Sequence, residues 1–80
     1  MKLLITGGAG FVGARLARTL LARGTLAGQA IRQIVLADQY AAPADLMADP
    51  RVSARTAPLL AQCAELASDR FDGVFHLASA

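Results

Sequence analysis

The segment from residue 6 to residue 13 constrains the fold more than any other. It reads Thr-Gly-Gly-Ala-Gly-Phe-Val-Gly, follows an apolar run and opens a helical pattern. Gly7, Gly10 and Gly13 let the backbone turn sharply, approach a ligand closely and pack the new helix on the strand before it. The start of that helix offers free N–H groups and a partial positive charge. The segment therefore predicts a strand, a turn and a helix arranged to hold a phosphate group.

The spacing of the glycines narrows the kind of loop. It is Gly-x-x-Gly-x-x-Gly rather than the Gly-x-Gly-x-x-Gly of most dinucleotide folds, and no Gly-Lys-Ser/Thr follows as in a P-loop. Taken alone, such a segment has the alternative interpretation of a plain structural turn. The strand before it, the helix after it and an acid at the end of the next strand favour nucleotide binding.

Strands and helices alternate along the chain. Apolar stretches predict four strands, at residues 2–6, 31–37, 52–55 and 74–78. Strand–helix–strand connections are right-handed and produce a parallel sheet. We therefore predict an α/β fold: a Rossmann-type parallel sheet with flanking helices and the strand order 3-2-1-4. A ligand then lies beyond the carboxyl ends of strands 1 and 4.

Helices and connections complete this pattern. One helix is predicted over 11–23 with Gly24 as its stop, and a second over 58–68. Residues 24–31 are expected to form a long connection, and 39–50 a loop that includes a helical turn.

The first helix has an apolar face that is expected to pack on the sheet. Five side chains lie mainly on that face: Phe11, Val12, Leu16, Leu20 and Leu21. The side chains of Phe11 and Val12 are therefore expected between the helix and the sheet.

An acidic residue, Asp38, ends the second predicted strand. In this architecture such an acid accepts hydrogen bonds from the adenosine ribose hydroxyls and repels a 2′-phosphate, which favours NAD over NADP. The alternative is a solvated residue that begins a loop, since Asp is common in turns. Asp38 follows the last glycine at more than the usual spacing of about 20 residues, and the long connection over 24–31 accounts for the excess.

The chain resembles the extended short-chain dehydrogenase/reductase family, which includes the NAD-dependent epimerases and dehydratases. The resemblance rests on the wide glycine spacing, with Thr6 before it and Phe11 within it, and on His-Leu-Ala-Ser at 76–79, similar to the motif that closes the family's fourth strand. It covers nearly all of 1–80 but only the first part of a family member. We therefore expect the N-terminal part of a dinucleotide-binding domain, incomplete at residue 80.

This resemblance implies NAD as the cofactor, a small-molecule substrate and a homodimeric full-length enzyme. It assigns nine residues to the cofactor site: Gly7, Gly10, Phe11, Val12, Gly13, Asp38, Leu77, Ala78 and Ser79. No catalytic residue is expected here. The family's catalytic base is a Tyr with a Lys four residues later, whereas Ala44 follows Tyr40 at that spacing and the only lysine is Lys2.

Two features depart from the family pattern or lack a catalytic context. Members usually place an Asp after the third strand to hold the adenine amino group, whereas residues 55–58 read Arg-Thr-Ala-Pro. His76 lies in an apolar strand and is expected to be structural, and nothing in the chain supplies a base for Ser79.

Three functions remain open on the sequence. The preferred one is an NAD-dependent oxidoreductase acting on a sugar acid, because the connection at 24–31 and the Ala-Pro-rich loop look similar to D-erythronate dehydrogenase-like members. The second is a nucleotide-sugar epimerase or dehydratase that uses NAD without net consumption. The third is a non-catalytic nucleotide-binding module.

Composition excludes several other classes. Eight scattered basic residues against six acidic ones predict no nucleic-acid partner. A single His and a single cysteine, Cys63, predict no metal site and no internal disulfide. Glycines and arginines interrupt any membrane-like run, so no membrane partner is expected and a cytoplasmic location is the default. The fourth strand is expected to be an exposed apolar edge, which would make the isolated chain poorly soluble or oligomeric.

Overall fold

A computed structural model describes residues 1–58 and 70–77 of the chain. Its strands are β1 (Lys2–Thr6), β2 (Thr25–Leu26), β3 (Gln29–Ala30), β4 (Gln33–Asp38), β5 (Val52–Thr56) and β6 (Gly73–His76). Its helices are α1 (Phe11–Arg23) and α2 (Ala44–Met47). The helix predicted over 58–68, including Cys63, falls mainly on residues outside the described ranges, as do Ala78 and Ser79.

Four of the strands form one parallel sheet in the order β5-β4-β1-β6. This arrangement confirms the predicted order 3-2-1-4, because β4, β5 and β6 are the second, third and fourth strands of the sequence prediction. In the register, Thr6 lies opposite both Ala37 of β4 and His76 of β6, and Asp38 lies opposite Thr56 of β5. The carboxyl ends of all four strands therefore meet at one edge of the sheet.

The central strands are buried on both faces, which is why they read as continuous apolar runs. On one face lie Leu3, Ile5, Ile34 and Leu36, which belong to the cluster that packs against α1. The opposite face carries Leu4, Val35 and Ala37, with Phe71 packed partly against them. This two-sided burial holds β1 and β4 in the middle of the sheet.

Helix α1 has the predicted bounds, but its buried face differs from the expected one. Phe11 and Val12 are 82% and 63% exposed, so the expectation that they pack between helix and sheet is wrong. The buried positions of α1 are Gly13, Ala14, Ala17 and Leu20. Residues spaced by three and four positions share one helix face, and small residues there let the helix axis approach the sheet. Phe11 and Val12 lie off that stripe, at the first turn.

The connection over 24–31 is a β-hairpin, a structure that the sequence analysis missed. Strands β2 and β3 pair antiparallel, with Thr25 opposite Ala30. Ala27 and Gly28 have φ values of 52° and 79°, as a two-residue hairpin turn of the primed type requires. The N-terminal amine donates to the Ala30 carbonyl at 2.8 Å. The hairpin therefore lies beside the amino end of the sheet, and β4 begins at Gln33 rather than at residue 31.

An arginine joins the C-terminal half of α1 to the loop before β5. Arg51 donates from Nε and Nη2 to the Asp49 carboxylate at 3.0 and 2.8 Å, and from Nη2 to the Leu21 carbonyl at 3.3 Å. The guanidinium of Arg51 holds the pKa of Asp49 below its ordinary value, chiefly through the side-chain hydrogen bond. The bond from Arg51 to the Leu21 carbonyl thus connects the start of β5 to α1.

Strand β6 begins and ends with contacts to β1. The Lys2 N–H donates to the Asp72 carboxylate at 2.6 Å, and the Lys2 ammonium lies 4.9 Å from the centre of the Phe71 ring. Among the described residues, β6 pairs with β1 alone, and Val74 is 57% exposed. Within the described residues, β6 is thus an exposed apolar edge, as expected. In the part of the chain that the structure describes, no helix is long and apolar enough to cross a bilayer.

Candidate functional site

The loop between β1 and α1 is a tight turn that depends on its glycines. Gly7 has a φ of 76° and donates to the Ala37 carbonyl of β4 at 2.8 Å, while Gly10 donates to the Gly7 carbonyl at 3.1 Å. A Cβ on Gly13 would overlap the Gly7 carbonyl oxygen and lie 2.9 Å from the Gly8 Cα. Gly7 is therefore needed for its left-handed conformation, and Gly13 for the close approach of the helix to the loop.

Gly8 is a further required glycine that the sequence analysis did not single out. A Cβ there would lie 2.8 Å from the Leu36 Cβ and 3.1 Å from the Leu36 Cα. Since the near atoms include backbone, a rotamer change in Leu36 cannot relieve this contact. The pair of adjacent glycines after Thr6 was the available signal. Gly8 holds the loop against β4.

The N-terminus of α1 is open to an anion. Gly10 is the N-cap with φ −72° and ψ 166°, no side chain of the described residues caps the helix, and its first turn has no acidic residue. The backbone bond that begins the helix runs from the Ala14 N–H to the Gly10 carbonyl at 2.9 Å. The N–H groups of residues 11–13 precede that bond and have no acceptor within the helix. These donors and the helix dipole favour a phosphate.

Asp38 lies at the carboxyl end of β4 and contacts the glycine loop. Its carboxylate accepts a hydrogen bond from the Ala9 N–H at 3.0 Å and another from the Tyr40 N–H at 3.3 Å. Leu36 and Asp38 lie on the same face of β4, because side chains alternate along a strand. The loop thus contacts Leu36 through Gly8 and Asp38 through Ala9, and the predicted acid and the predicted loop are neighbours.

The end of β6 completes this edge on the other side of β1. The Thr6 hydroxyl oxygen lies 2.6 Å from Nδ1 of His76, and the Leu77 N–H donates to the Thr6 carbonyl at 3.0 Å. Leu77 is partly exposed. His76 is therefore hydrogen-bonded to the neighbouring strand through Thr6. Ala78 and Ser79, which follow, lie outside the described residues.

After β5, where members of the resembling family usually have an Asp, this chain has Ala57, which makes a backbone hydrogen bond to β4. The Ala57 N–H donates to the Asp38 main-chain carbonyl at 3.0 Å. Tyr40, two residues after Asp38, has an exposed side chain. These residues form the rim of the edge on the β5 side. Among residues 1–58 and 70–77, no group of three His, Cys, Asp or Glu side chains is arranged to bind a metal ion.

The structure brings the predicted glycine loop, Asp38 and Leu77 to the carboxyl edge of the sheet. Asp38 lies on the β4 side of β1, and Leu77 lies on the β6 side. Strand order reverses there: the chain moves from β1 outward to β4 and β5, and then returns to β6 on the opposite side. In open α/β sheets, ligands bind at such a switch point, beyond the carboxyl ends of the strands. The Gly8 and Ala9 contacts to β4 were beyond the reach of sequence reasoning, because they join residues far apart in the chain.

Comparisons with known proteins agree with this architecture. The family described as "NAD dependent epimerase/dehydratase family" matches residues 3–80. Among solved structures, a crystal structure of UDP-galactose 4-epimerase is similar, with 26% identity and a TM-score of 0.68 over 100% of this chain and 24% of that chain. The chain thus spans about a quarter of the length of the structure it matches. It matches none of the curated protein sequences with which it was compared.

Proposed function

The chain belongs to the NAD dependent epimerase/dehydratase family, and we propose that it binds the dinucleotide cofactor of an enzyme acting on nucleotide-linked sugars. One observation carries this proposal. Within the described part of the chain, the N-terminus of α1 has neither a capping side chain nor an acid in its first turn, and it opens at the switch point between β1 and β6. A pyrophosphate placed there meets free N–H groups and the positive end of a helix dipole.

Within this proposal, each predicted site residue has a separate task. Gly7, Gly8 and Gly13 shape the turn, so that the N–H groups of Phe11 and Val12 face the pyrophosphate. The Asp38 carboxylate accepts hydrogen bonds from the hydroxyls of the adenosine ribose. Leu77 follows β6 and borders the cofactor on the other side of β1, while the roles predicted for Ala78 and Ser79 concern residues outside the described ranges. When bound, the nicotinamide ring would supply hydride transfer.

Asp38 supports NAD rather than NADP as the cofactor. Its carboxylate stands at the carboxyl edge of β4, one hydrogen bond away from the glycine loop. An acid at that place binds ribose hydroxyls and repels a phosphate on the 2′ oxygen. The proposed cofactor is therefore NAD.

The similarity to UDP-galactose 4-epimerase favours a nucleotide sugar as the substrate class. The alternative, a sugar acid, depended on the connection at 24–31 and on the loop at 39–50. The connection is a hairpin at the amino end of the sheet, tied to the N-terminal amine through Ala30. Because the candidate site lies at the carboxyl edge, the hairpin does not bear on the choice of substrate.

Two measurements test the proposal. Titration calorimetry of the chain with NAD should give saturable binding, and binding of neither NAD nor NADP would refute the cofactor assignment. For the reaction, protein isolated from its natural source is supplied with nucleotide sugars or with four-carbon sugar acids. Epimerisation of a nucleotide sugar without net NADH formation supports the proposed substrate class. Net NADH formation from a sugar acid alone overturns it.

A further inference from the structure

The carboxyl end of β5 lies next to the ribose position of the proposed cofactor site. Along this edge the glycine loop follows β1, Asp38 ends β4, and β5 is the next strand outward. Thr56, the last residue of β5, lies opposite Asp38 in the register. A dinucleotide with its pyrophosphate at α1 and its ribose at Asp38 therefore directs its base toward the end of β5 and the loop after β4. The residues at that place decide how the base is held.

The two residues that follow β5 offer the base no free backbone donor. The Ala57 N–H is engaged with the Asp38 main-chain carbonyl at 3.0 Å. Pro58 has no N–H, because its ring closes on the backbone nitrogen. A ring nitrogen of the base that accepts a hydrogen bond therefore finds no fixed partner in Ala57 or Pro58.

Among the described residues, the acids other than Asp38 lie away from this edge. Asp45 is paired with Arg18, in the middle of α1, at 2.8 Å. Asp49 and Asp72 precede β5 and β6, at the amino end of the sheet. An amino group on the base therefore meets no second carboxylate in the described part of the chain.

Two side chains at this edge suit bases of either polarity. The Tyr40 side chain lies in the loop after β4 and is 68% exposed. An aromatic ring of this kind stacks on any base, because every base has a π face. Thr56 is exposed, and it shares a face of the sheet with Asp38 because the two are cross-strand partners. Its hydroxyl can rotate to donate to a carbonyl oxygen or to accept from an amino group.

We propose that this chain holds the cofactor's base by stacking on Tyr40 and by the Thr56 hydroxyl, and that it therefore does not distinguish adenine from hypoxanthine. The inference rests on the proposed function, because it presumes that the adenosine ribose binds at Asp38. Hypoxanthine has a carbonyl oxygen where adenine has its amino group, and a donor at N1 where adenine has an acceptor. A site built to hydrogen-bond one such pattern rejects the other by about 10⁴-fold or more. Stacking and a rotating hydroxyl impose no such penalty.

The first experiment is titration calorimetry with NAD and with nicotinamide hypoxanthine dinucleotide. For wild type, we expect dissociation constants that differ by less than ~10-fold. Tyr40→Ala should weaken both ligands at least ~5-fold, because stacking on the ring is lost, and Tyr40→Phe should recover that loss. Thr56→Val should weaken both ligands to a similar extent. Thr25→Val, in the hairpin at the amino end of the sheet, is the matched control and should leave both affinities unchanged.

Tyrosine fluorescence gives a second measurement of the stacking contact. Tyr40 is the only tyrosine and the chain has no tryptophan, so the signal reports this ring alone. Titration with 5′-AMP and with inosine 5′-monophosphate avoids the nicotinamide ring. Both nucleotides should quench the fluorescence at saturation more than they quench free tyrosine amide at the same concentrations.

A preference of ~10-fold or more for either dinucleotide would overturn the inference and leave the proposed function intact. So would unchanged affinities in Tyr40→Ala, loss of affinity for one ligand alone in Thr56→Val, or binding of 5′-AMP without quenching. Wild type that binds neither NAD nor 5′-AMP would instead refute the proposed function.

Discussion

The Cα of Gly13 faces the carbonyl oxygen of Gly7 so closely that a side chain at residue 13 would overlap that oxygen. The two residues lie at opposite ends of the turn, one after β1 and the other in the first turn of α1. Their contact draws the start of the helix onto the loop, which places its free N–H groups at the carboxyl edge of the sheet.

Gly13→Ala should therefore damage both stability and cofactor binding. Overpacking typically costs about 1–3 kcal/mol, because backbone has to move. We expect a loss of that size in the free energy of unfolding, measured with urea, and at least ~10-fold weaker NAD binding by calorimetry.

Gly28→Ala is the matched control for that experiment. Gly28 has a φ of 79° and nothing within 4 Å of an added Cβ, so its substitution strains the hairpin turn without a clash. A cost of about 1 kcal/mol is expected, with unchanged NAD affinity. Equal effects of both substitutions on NAD binding would contradict the role given to Gly13.

The hairpin turn offers a stabilising substitution. Ala27 has a φ of 52°, a left-handed conformation that a Cβ disfavours, and Gly28 follows it. Asn-Gly is the preferred pair for such turns, so Ala27→Asn should raise the free energy of unfolding by about 0.5–1 kcal/mol. Urea unfolding measures this gain. Ala22→Asn, on the exposed side of α1, should instead cost about 0.5 kcal/mol, because Asn is a poorer helix former than Ala. A gain in stability at Ala22 would mean that the gain at Ala27 is not specific to the turn.

Two apolar residues of α1 should respond very differently to truncation. Leu20 is buried between helix and sheet, whereas Phe11 is 82% exposed. Leu20→Ala should cost about 2–5 kcal/mol, and Phe11→Ala about 0.5 kcal/mol or less. Urea unfolding of the two variants gives the comparison. A large loss for Phe11→Ala would restore the sequence-based expectation that its ring packs on the sheet.

The pair of Thr6 and His76 connects β1 to β6 through side chains at 2.6 Å. A neutral imidazole protonated on Nε2 accepts from the Thr6 hydroxyl at Nδ1, whereas one protonated on Nδ1 donates to the Thr6 oxygen. Because either arrangement fixes the ring proton, nitrogen NMR of His76 should show one preferred tautomer in wild type. Thr6→Val should lose the preference and about 0.5–1.5 kcal/mol of stability.

Thr19→Val is the control for the loss of a threonine hydroxyl. Thr19 donates to the Arg15 carbonyl within α1 at 3.0 Å and is exposed. We expect a change within about 0.5 kcal/mol and an unaltered His76 spectrum. An altered His76 spectrum in this variant would show that the readout is not specific to the Thr6 contact.

Two ion pairs predict how stability depends on pH. The pKa of Asp45 is lowered by its side-chain hydrogen bond to Arg18, and that of Asp49 by its bond to Arg51. A carboxylate with a lowered pKa stabilises the fold at neutral pH, and this contribution is lost as the pH falls from about 5 through the folded-state pKa. The free energy of unfolding should therefore fall across that range, less steeply in Asp45→Asn and Asp49→Asn.

Salt should separate these two pairs. The Asp45 side chain is 60% exposed and that of Asp49 is 22% exposed, so added salt screens the Arg18 pair more strongly. At about 1 M NaCl the screening length is about 3 Å. The loss of unfolding free energy caused by Asp45→Asn should then decrease more than the loss caused by Asp49→Asn. An equal decrease for both variants would contradict the stronger screening of the Arg18 pair.

Local backbone preference was sufficient to predict the glycine turn and helix α1 with its Gly24 stop, because turns and caps depend on the φ values that Gly7 and Gly24 allow. The strand order was predicted from the Rossmann-type pattern of strands, helices and glycines. The exposure of Phe11, the hairpin at Ala27, the contact of Gly8 with Leu36 and the bond from Ala9 to Asp38 emerged in the folded molecule. Each depends on how closely segments distant in sequence approach one another, and a distance of that kind is set by packing, which a one-dimensional pattern does not contain.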